Sequence, residues 1–313
     1  METGAGCVLR CEHATALVKG ARVRAVIGDF VEVSVPDGHD KGIIEGIEPR
    51  TTSFTRKDPT ERTVAQVLAA NFNQVMIAEP LSDVNFKRLE RELVLAHETG
   101  ASVSVVLTKS DLAASPEAVE GVLERARALA GPATPVLTMS DRDAASVERV
   151  RALMPPDSVT VLIGKSGVGK SSLVNVLVGE EVQEIGDVRE TDGKGRHTTV
   201  SREMVALPGG GFVVDMPGVR GLGLWEADAG IGAAFADVEE LAASCRFRDC
   251  KHEREPGCRV RAAVESGELS AERFSSYQAL KQESSQVRQR RVEAARLHGE
   301  KASDRRPSRP RKR

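Results

Sequence analysis

Val159-Thr-Val-Leu-Ile163 runs directly into Gly164-Lys-Ser-Gly-Val-Gly-Lys-Ser171, and Ser172-Leu-Val-Asn-Val-Leu177 comes next. The order is apolar strand, glycine-rich turn, helix, and the turn fits G-x-x-x-x-G-K-[ST] in the flanks that a phosphate-binding loop requires. Gly164, Gly167 and Gly169 let successive backbone N–H groups curl around phosphate oxygens at a helix N-terminus, where the helix dipole favours negative charge. Lys170 is placed to reach the β- and γ-phosphates, and the Ser171 hydroxyl to ligate Mg²⁺. Gly164, Lys165, Ser166, Gly167, Val168, Gly169, Lys170, Ser171 and Ser172 form the candidate phosphate site. The loop implies a nucleoside triphosphate and leaves the base open.

Upstream of this loop the chain alternates strands and helices. Val75-Met-Ile-Ala78 reads as a short buried strand; Phe86, Leu89, Leu93 and Ala96 share one helical face; Val103 to Leu107 is a second buried strand. A helix is predicted over 116–129, with strands at 135–137 and 159–163, which together describe a parallel sheet covered by helices. The strand at Val103 ends in Thr108-Lys109-Ser110-Asp111, which fits the guanine-reading pattern N/T-K-x-D. A carboxylate at Asp111 accepts from both the N1–H and the exocyclic amine of guanine, whereas adenine would turn a lone pair toward it. A site built to pair a substrate group rejects an analogue lacking it by roughly 10⁴–10⁵-fold. Lys109 is expected to lie over the base and Thr108 to hold the loop, a threonine here replacing the commoner asparagine. Leu137-Thr-Met-Ser140 departs from the S-A loop that completes base recognition and makes Ser140 a further candidate.

Downstream, Phe212-Val-Val-Asp215 is a short strand ending in Asp215-Met-Pro-Gly218, the pattern D-x-x-G. Asp215 would hold Mg²⁺ through a water, and the Gly218 N–H would meet the γ-phosphate. Between the two phosphate motifs lies Gly193-Lys-Gly-Arg-His-Thr-Thr199, one of whose threonines, Thr199 by preference, would close on Mg²⁺ when the γ-phosphate is present. The base-reading motif precedes the phosphate motifs, the reverse of the usual order. A parallel sheet tolerates such a cut and rejoining when its original ends lie close together. The chain leaving Gly218 then leads straight into a Cys/His-rich segment, Cys245-Arg-Phe-Arg-Asp-Cys250-Lys-His252 with Cys258 beyond. Three thiolates and one imidazole make the closed tetrahedral set of structural zinc, and a module of about 55 residues is small enough to need such a staple. Cys7 and Cys11 have no matching partners and read as incidental.

The remaining features are compositional. An apolar share of 40%, a charged share of 29% and five cysteines describe a soluble chain and argue against a disulfide framework. No early segment pairs a basic start with an apolar core, so a cytoplasmic protein without a membrane span is expected. From Arg288 to Arg313 eleven basic residues face three acidic ones, a net +8 in a chain of net −2, so the remainder carries −10. Such a tail is predicted to be disordered and to attract phosphate backbones. Residues 17–67 look like short strands with turns, Val23 to Ile27 among them, and Phe30 to Val35 alternates as a half-buried strand. A small β-barrel such as an OB-fold suits them, as would other small β folds.

The succession TKSD, GKSGVGKS, GRHTT, DMPG and C-x₄-C-x-H-x₅-C resembles the RsgA (YjeQ/YloQ) family over nearly the whole chain. That resemblance implies an α/β P-loop GTPase, circularly permuted, with an N-terminal OB-like β-barrel and a small α-helical zinc-binding domain. The expected divisions are 1–69 for the barrel, 70–229 for the GTPase, 230–286 for the zinc domain and 287–313 for the basic tail. It further implies a GTP hydrolase of late small (30S) subunit assembly, slow alone and stimulated by that subunit. One structural Zn²⁺, Mg²⁺ with GTP, 16S rRNA contacts through the barrel and zinc domain, and release of ribosome-binding factor A belong to the same picture, with a monomeric chain. Val219 stands where a water-orienting glutamine usually follows D-x-x-G, so His197 is carried over as the water-positioning group or base. The rival reading is an assembly protein that binds rRNA under nucleotide control with little turnover. A P-loop kinase or ATPase is disfavoured by Asp111.

Overall fold

Short strands and frequent turns before Asn71 produce two small sheets in the computed structural model, which describes residues 8–20, 23–38, 40–57, 65–182, 203–216 and 227–304. The strands are β1 (Arg10–His13), β2 (Val31–Ser34), β3 (Lys41–Ile47), β4 (Ser53–Lys57) and β5 (Ala65–Ala70). The first three form one sheet in the order β1-β3-β2, and β4 pairs antiparallel with β5. A bridge from Ile27 to Ala69 ties the segment before β2 to β5. Residues 23–27, predicted as a strand, are instead a turn segment leading to that bridge. The Val26 N–H donates to Asp29 Oδ2 at 2.8 Å, and Arg50 grips both oxygens of Asp29 at 2.7 Å. β2 forms as predicted but lies at the sheet edge, where Phe30 and Val35 stay exposed, so its alternation does not mark a buried face.

After Asn71 the apolar runs become central strands. These are β6 (Gln74–Pro80), β7 (Ser102–Thr108), β8 (Val136–Thr138), β9 (Val159–Ile163), β10 (Glu203–Ala206) and β11 (Phe212–Asp215). They order as β10-β11-β9-β6-β7-β8, parallel throughout except for the β10–β11 pair. Alternate side chains feed two cores. Val75, Ile77, Val105, Leu107, Val161 and Ile163 face one layer, and Met76, Ala78, Val106, Leu162 and Val213 face the other. Helix α1 (Phe86–Glu98) covers the first layer with Leu89, Leu93 and Ala96, as its spacing predicts, and α2 (Pro116–Ala130) adds Leu123 and Ala126. The second layer is covered by α3 (Ala144–Arg151) through Val147 and Val150, and by α4 (Lys170–Val178) through Leu173 and Leu177. Helix α3 gives little signal in the sequence; it is short, begins under an Asp143 cap that accepts from the Ala145 N–H, and presents few apolar residues.

The C-terminal module comprises α5 (Asp228–Ala234), α6 (Ala236–Ala243), α7 (Arg259–Ser266) and α8 (Ala271–Asp304). Its buried Ile231, Phe235, Val238, Val260, Tyr277 and Leu280 continue the first core layer, so module and sheet share one interior. Helix α5 crosses α1 at van der Waals limit: a Cβ on Gly230 would lie 2.1 Å from the Val94 carbonyl oxygen, and the Gly230 N–H donates to Glu98 at 2.6 Å. Arg273 of α8, 7% exposed, donates to Asp237 and to the Ala234 carbonyl and lies 3.8 Å from Glu90 of α1. The tail predicted to be disordered from 287 is helical to Asp304, because the stretch is rich in Gln, Arg, Glu and Ala, good helix formers, and holds no proline before Pro307. Residues 305–313 lie outside the described set. No described helix is long and apolar enough to cross a membrane.

The α1–α5 crossing yields a paired test. Gly230→Ala forces a methyl into the Val94 carbonyl and should cost about 1–3 kcal/mol in a denaturant titration. Gly232→Ala, where a methyl meets nothing, should stay within about 0.5 kcal/mol or gain slightly from helix propensity.

Candidate nucleotide site and metal centre

The C-terminal ends of β6, β7, β9 and β11 open onto one crevice, at the point where strand order reverses between β9 and β6. Ligands of open α/β sheets bind at such a point. Gly164, Gly167 and Gly169 all have positive φ, at 145°, 83° and 101°. At Gly164 the requirement is also spatial, since a Cβ would lie 2.4 Å from the Ala78 carbonyl oxygen. Gly169 caps α4, and Leu173 N–H closes the first helical turn onto its carbonyl at 2.9 Å. Lys170 is 7% exposed, and its amine donates to the carbonyls of Gly164 (2.9 Å) and Lys165 (3.2 Å). Burial pushes its pKa down, opposed by the neighbouring charges of Asp215 and Glu92. Lys165, Ser166 and Gly167 are exposed at the rim, Val168 is buried, and Ser171 and Ser172 are half-buried on the first turn of α4.

The base-reading segment is stitched to this loop. The Thr108 hydroxyl, fully buried, donates to the Val168 carbonyl at 2.5 Å, and the Lys109 amine donates to the Gly167 carbonyl at 2.9 Å. Lys109 takes a left-handed backbone (φ 57°), which turns the chain so that Asp111 enters a short 3₁₀ turn. Ser140, 3% exposed, donates to Asp111 Oδ1 at 2.9 Å while its oxygen accepts from the Arg142 N–H. The carboxylate is thus fixed in orientation, and its other oxygen faces Arg142 at 3.7 Å. Asp215 ends β11 beside Leu162. Its Oδ1 is buried without a hydrogen-bond partner, and burial pushes its pKa up despite Lys170 nearby. An unsatisfied buried carboxylate oxygen beside the phosphate loop fits a hydrated divalent cation, which would supply its missing partner.

The second site lies between α6 and α7. Cys245 follows α6, Cys258 caps α7 and accepts from the Arg261 N–H, and His252 sits in the connecting loop with a left-handed backbone (φ 59°). The ligand atoms of Cys245, Cys250, His252 and Cys258 all lie within 4.8 Å of one another. His252 Nδ1 is 3.6 Å from Cys245 Sγ and 3.4 Å from Cys258 Sγ, and those two sulfurs are 4.0 Å apart. Tetrahedral zinc with bonds of about 2.3 Å to sulfur and about 2.0 Å to nitrogen has edges of about 3.5 to 3.8 Å. The donor set and its spacing therefore fit a four-coordinate ion. Glu255, which no sequence motif marks, folds its carboxylate back onto the N–H groups of Lys251, Glu253 and Arg254 at 2.9–3.0 Å, bracing the loop that carries His252. Its own backbone N–H first, and those three bonds with it, hold its pKa down at about 2.

With this geometry in hand, comparison places the chain among known proteins. Residues 47–225 match the family described as RsgA GTPase. The chain is 41% identical over 83% of its length to the small ribosomal subunit biogenesis GTPase RsgA of Streptomyces avermitilis, of which it covers 70%. The Streptomyces coelicolor protein of the same name is 42% identical at equal coverage. The chain belongs to the RsgA GTPase family. In fold it is similar to YjeQ from Thermotoga maritima (TM-score 0.65, 24% identity, 90% of this chain and 91% of that one). The structure of YloQ, a circularly permuted GTPase, is similar at TM-score 0.62 and 23% identity, covering 91% and 88%. The chain is a P-loop GTPase of permuted order.

For this RsgA-family chain the structure brings Thr108, Lys109, Asp111, Gly164 to Ser172 and Asp215 to one crevice, and Cys245, Cys250, His252 and Cys258 to one centre. His197, Thr199, Gly218 and Val219 lie outside the described residues. The geometry supports two tests. Ser140→Ala frees the Asp111 carboxylate and should weaken GDP binding by about fivefold, the worth of one such hydrogen bond, as read by fluorescent-GDP titration. Glu255→Gln should keep one metal equivalent per chain but lower its affinity about tenfold in a competition titration with a chelator.

Proposed function

We propose that this chain hydrolyses GTP in late assembly of the small ribosomal subunit, with the subunit as its activator. The observation that carries the reading is the join between base loop and phosphate loop: Thr108 on Val168, Lys109 on Gly167, and Asp111 locked by Ser140. A guanine held at Asp111 would have its phosphates delivered onto the amides of 164–171. The relatives' name, small ribosomal subunit biogenesis GTPase, supports the cellular setting.

Lys170 neutralises the β- and γ-phosphates, and the loop amides position them in line for attack by water. Ser171, Thr199 and, through a water, Asp215 would hold Mg²⁺, which when bound supplies charge neutralisation across the phosphates. The Gly218 N–H would meet the γ-phosphate. With Val219 in place of a glutamine, His197 is assigned to orient the attacking water once the subunit's rRNA fixes its loop. The Cys₃His centre holds one structural Zn²⁺, since four protein ligands leave no position for substrate. Divisions near residues 70, 230 and 287 assign rRNA contact to the barrel-like N-terminus and the zinc module. A monomer working in the cytoplasm, and release of ribosome-binding factor A upon hydrolysis, complete the reading.

Multiple-turnover phosphate release with and without purified small subunits tests it. Stimulation by several orders of magnitude is expected for the wild type, lost in Lys170→Ala and in His197→Ala. Stimulation that persists in His197→Ala removes that residue from the mechanism. Tight GTP binding without stimulation leaves the rival, an rRNA-binding protein gated by nucleotide.

A further inference from the structure

At the end of β6, beside the phosphate loop, two buried carboxyls share one guanidinium. Glu79 directly follows Ala78, the residue pressed against Gly164, and its side chain is 0% exposed. Arg88 of α1 spends its fork on Glu79, donating through Nε at 2.8 Å and Nη2 at 3.0 Å. Glu92, one turn further along α1 and 6% exposed, has Oε1 4.0 Å from Arg88 Nε and feels the charge of Glu79. Its other oxygen, Oε2, is buried with no partner. The groups that act on Glu92 are Glu79 from β6, Arg88 from its own helix and Lys170 from α4.

Charge counting then constrains the site. One guanidinium already satisfied by Glu79 cannot also compensate a second buried carboxylate, so Glu92 needs either a proton or the Lys170 cation. Lys170 donates to main-chain carbonyls, and Asp215 and, where it is ionised, Glu92 support its charge. A polyphosphate in the loop claims that amine and adds several negative charges nearby. We propose that Glu79 and Glu92 form a buried carboxyl pair that takes up a proton at Glu92 when a polyphosphate engages Lys170, which makes nucleotide binding proton-linked. The pair rests on the phosphate-site reading and adds Glu92 as a positioning residue for Lys170. Burial first, and the Glu79 charge second, push the free Glu92 carboxyl up to about 8. The sign is therefore fixed: below pH 8 Glu92 is already neutral and binding is insensitive to pH, and above pH 8 binding must recruit the proton and weakens.

Calorimetry of GDP binding at pH 7.0 and pH 8.5, each in two buffers of different ionisation enthalpy, reads the proton directly. The wild type should take up little at pH 7.0 and most of one proton at pH 8.5, with affinity falling about threefold between pH 7.5 and 8.5. In Glu92→Gln that uptake should vanish and the fall should flatten. Uptake that survives in Glu92→Gln overturns the proposal and transfers the proton to another group, Lys170 first. Tight GDP binding without wild-type uptake at pH 8.5 also overturns it. Failure of the wild type to bind GDP at all removes the phosphate-site reading itself. Should Glu92→Gln not fold, infrared difference spectra of the wild type decide: a carboxylic acid C=O band must rise upon GDP binding at pH 8.5, and its absence overturns the pair.

Discussion

The contact between Gly164 and the Ala78 carbonyl sets the spacing on which the nucleotide crevice depends. No side chain fits there, because a Cβ would stand 2.4 Å from the oxygen, and φ at Gly164 is 145°. The ends of β9 and β6 can therefore abut where the strand order reverses. The loop after β9 turns over β6, and the Thr108 hydroxyl at the end of β7 reaches the Val168 carbonyl while also lying 3.3 Å from the Glu79 carbonyl. One missing methyl group thus fixes phosphate loop, base loop and the buried carboxyl pair relative to one another. A side chain at 164 would separate all three together.

The permuted order leaves this crevice intact, because it changes which strands are joined and not which are neighbours. It does change the connection leaving β11. Met216 and Ala227, the described residues on either side of that connection, are both buried. Helix α5 rests on α1 through Gly230, and α1 carries Glu92 beside the phosphate loop and Glu90, Arg91 and Glu98 toward the C-terminal module. One helix therefore touches both the phosphate site and the module that bears the metal centre. Exposed ion pairs such as Arg125–Glu272 add little to that junction, whereas Arg273, buried with its donors satisfied, ties it tightly.

Local structure that is contiguous in sequence was legible there: the strand, turn and helix around the phosphate loop, the strand that ends in TKSD, the strand Phe212–Asp215 and the clustering of Cys245, Cys250, His252 and Cys258. The parallel sheet was legible for the same reason, since both its faces are covered and its strands read as apolar runs. The features that sequence hid depend on contacts across the fold. Ser140 was a candidate in the sequence, but its bond to Asp111, 29 residues away, depends on the pairing of β7 with β8. Glu92 lies on a helix whose spacing marks core, and nothing in that pattern shows that its own carboxyl is buried beside another. The N-terminal strands misled in both directions: Val23 to Ile27 gave way to a turn because Asp29 and Arg50 close it, and β2 kept its alternation without a second layer to bury it. The basic tail was judged by charge, while local helix propensity governs it as far as Asp304.

Electrostatics explains why a site meant for a polyanion tolerates acids so close. An isolated buried lysine would lose its proton, and Lys170 is already pushed down by burial. Asp215, and Glu92 where it is ionised, oppose that push, while the Gly164 and Lys165 carbonyls hold the amine in place. A polyphosphate then replaces weak, neutral partners with strong ones and needs little rearrangement of the loop. Each acid has one buried oxygen without a partner, Asp215 at Oδ1 and Glu92 at Oε2, where a divalent cation and a proton respectively would act. The burial that pushes the lysine's pKa down and the pKa of both acids up is therefore what couples the three side chains.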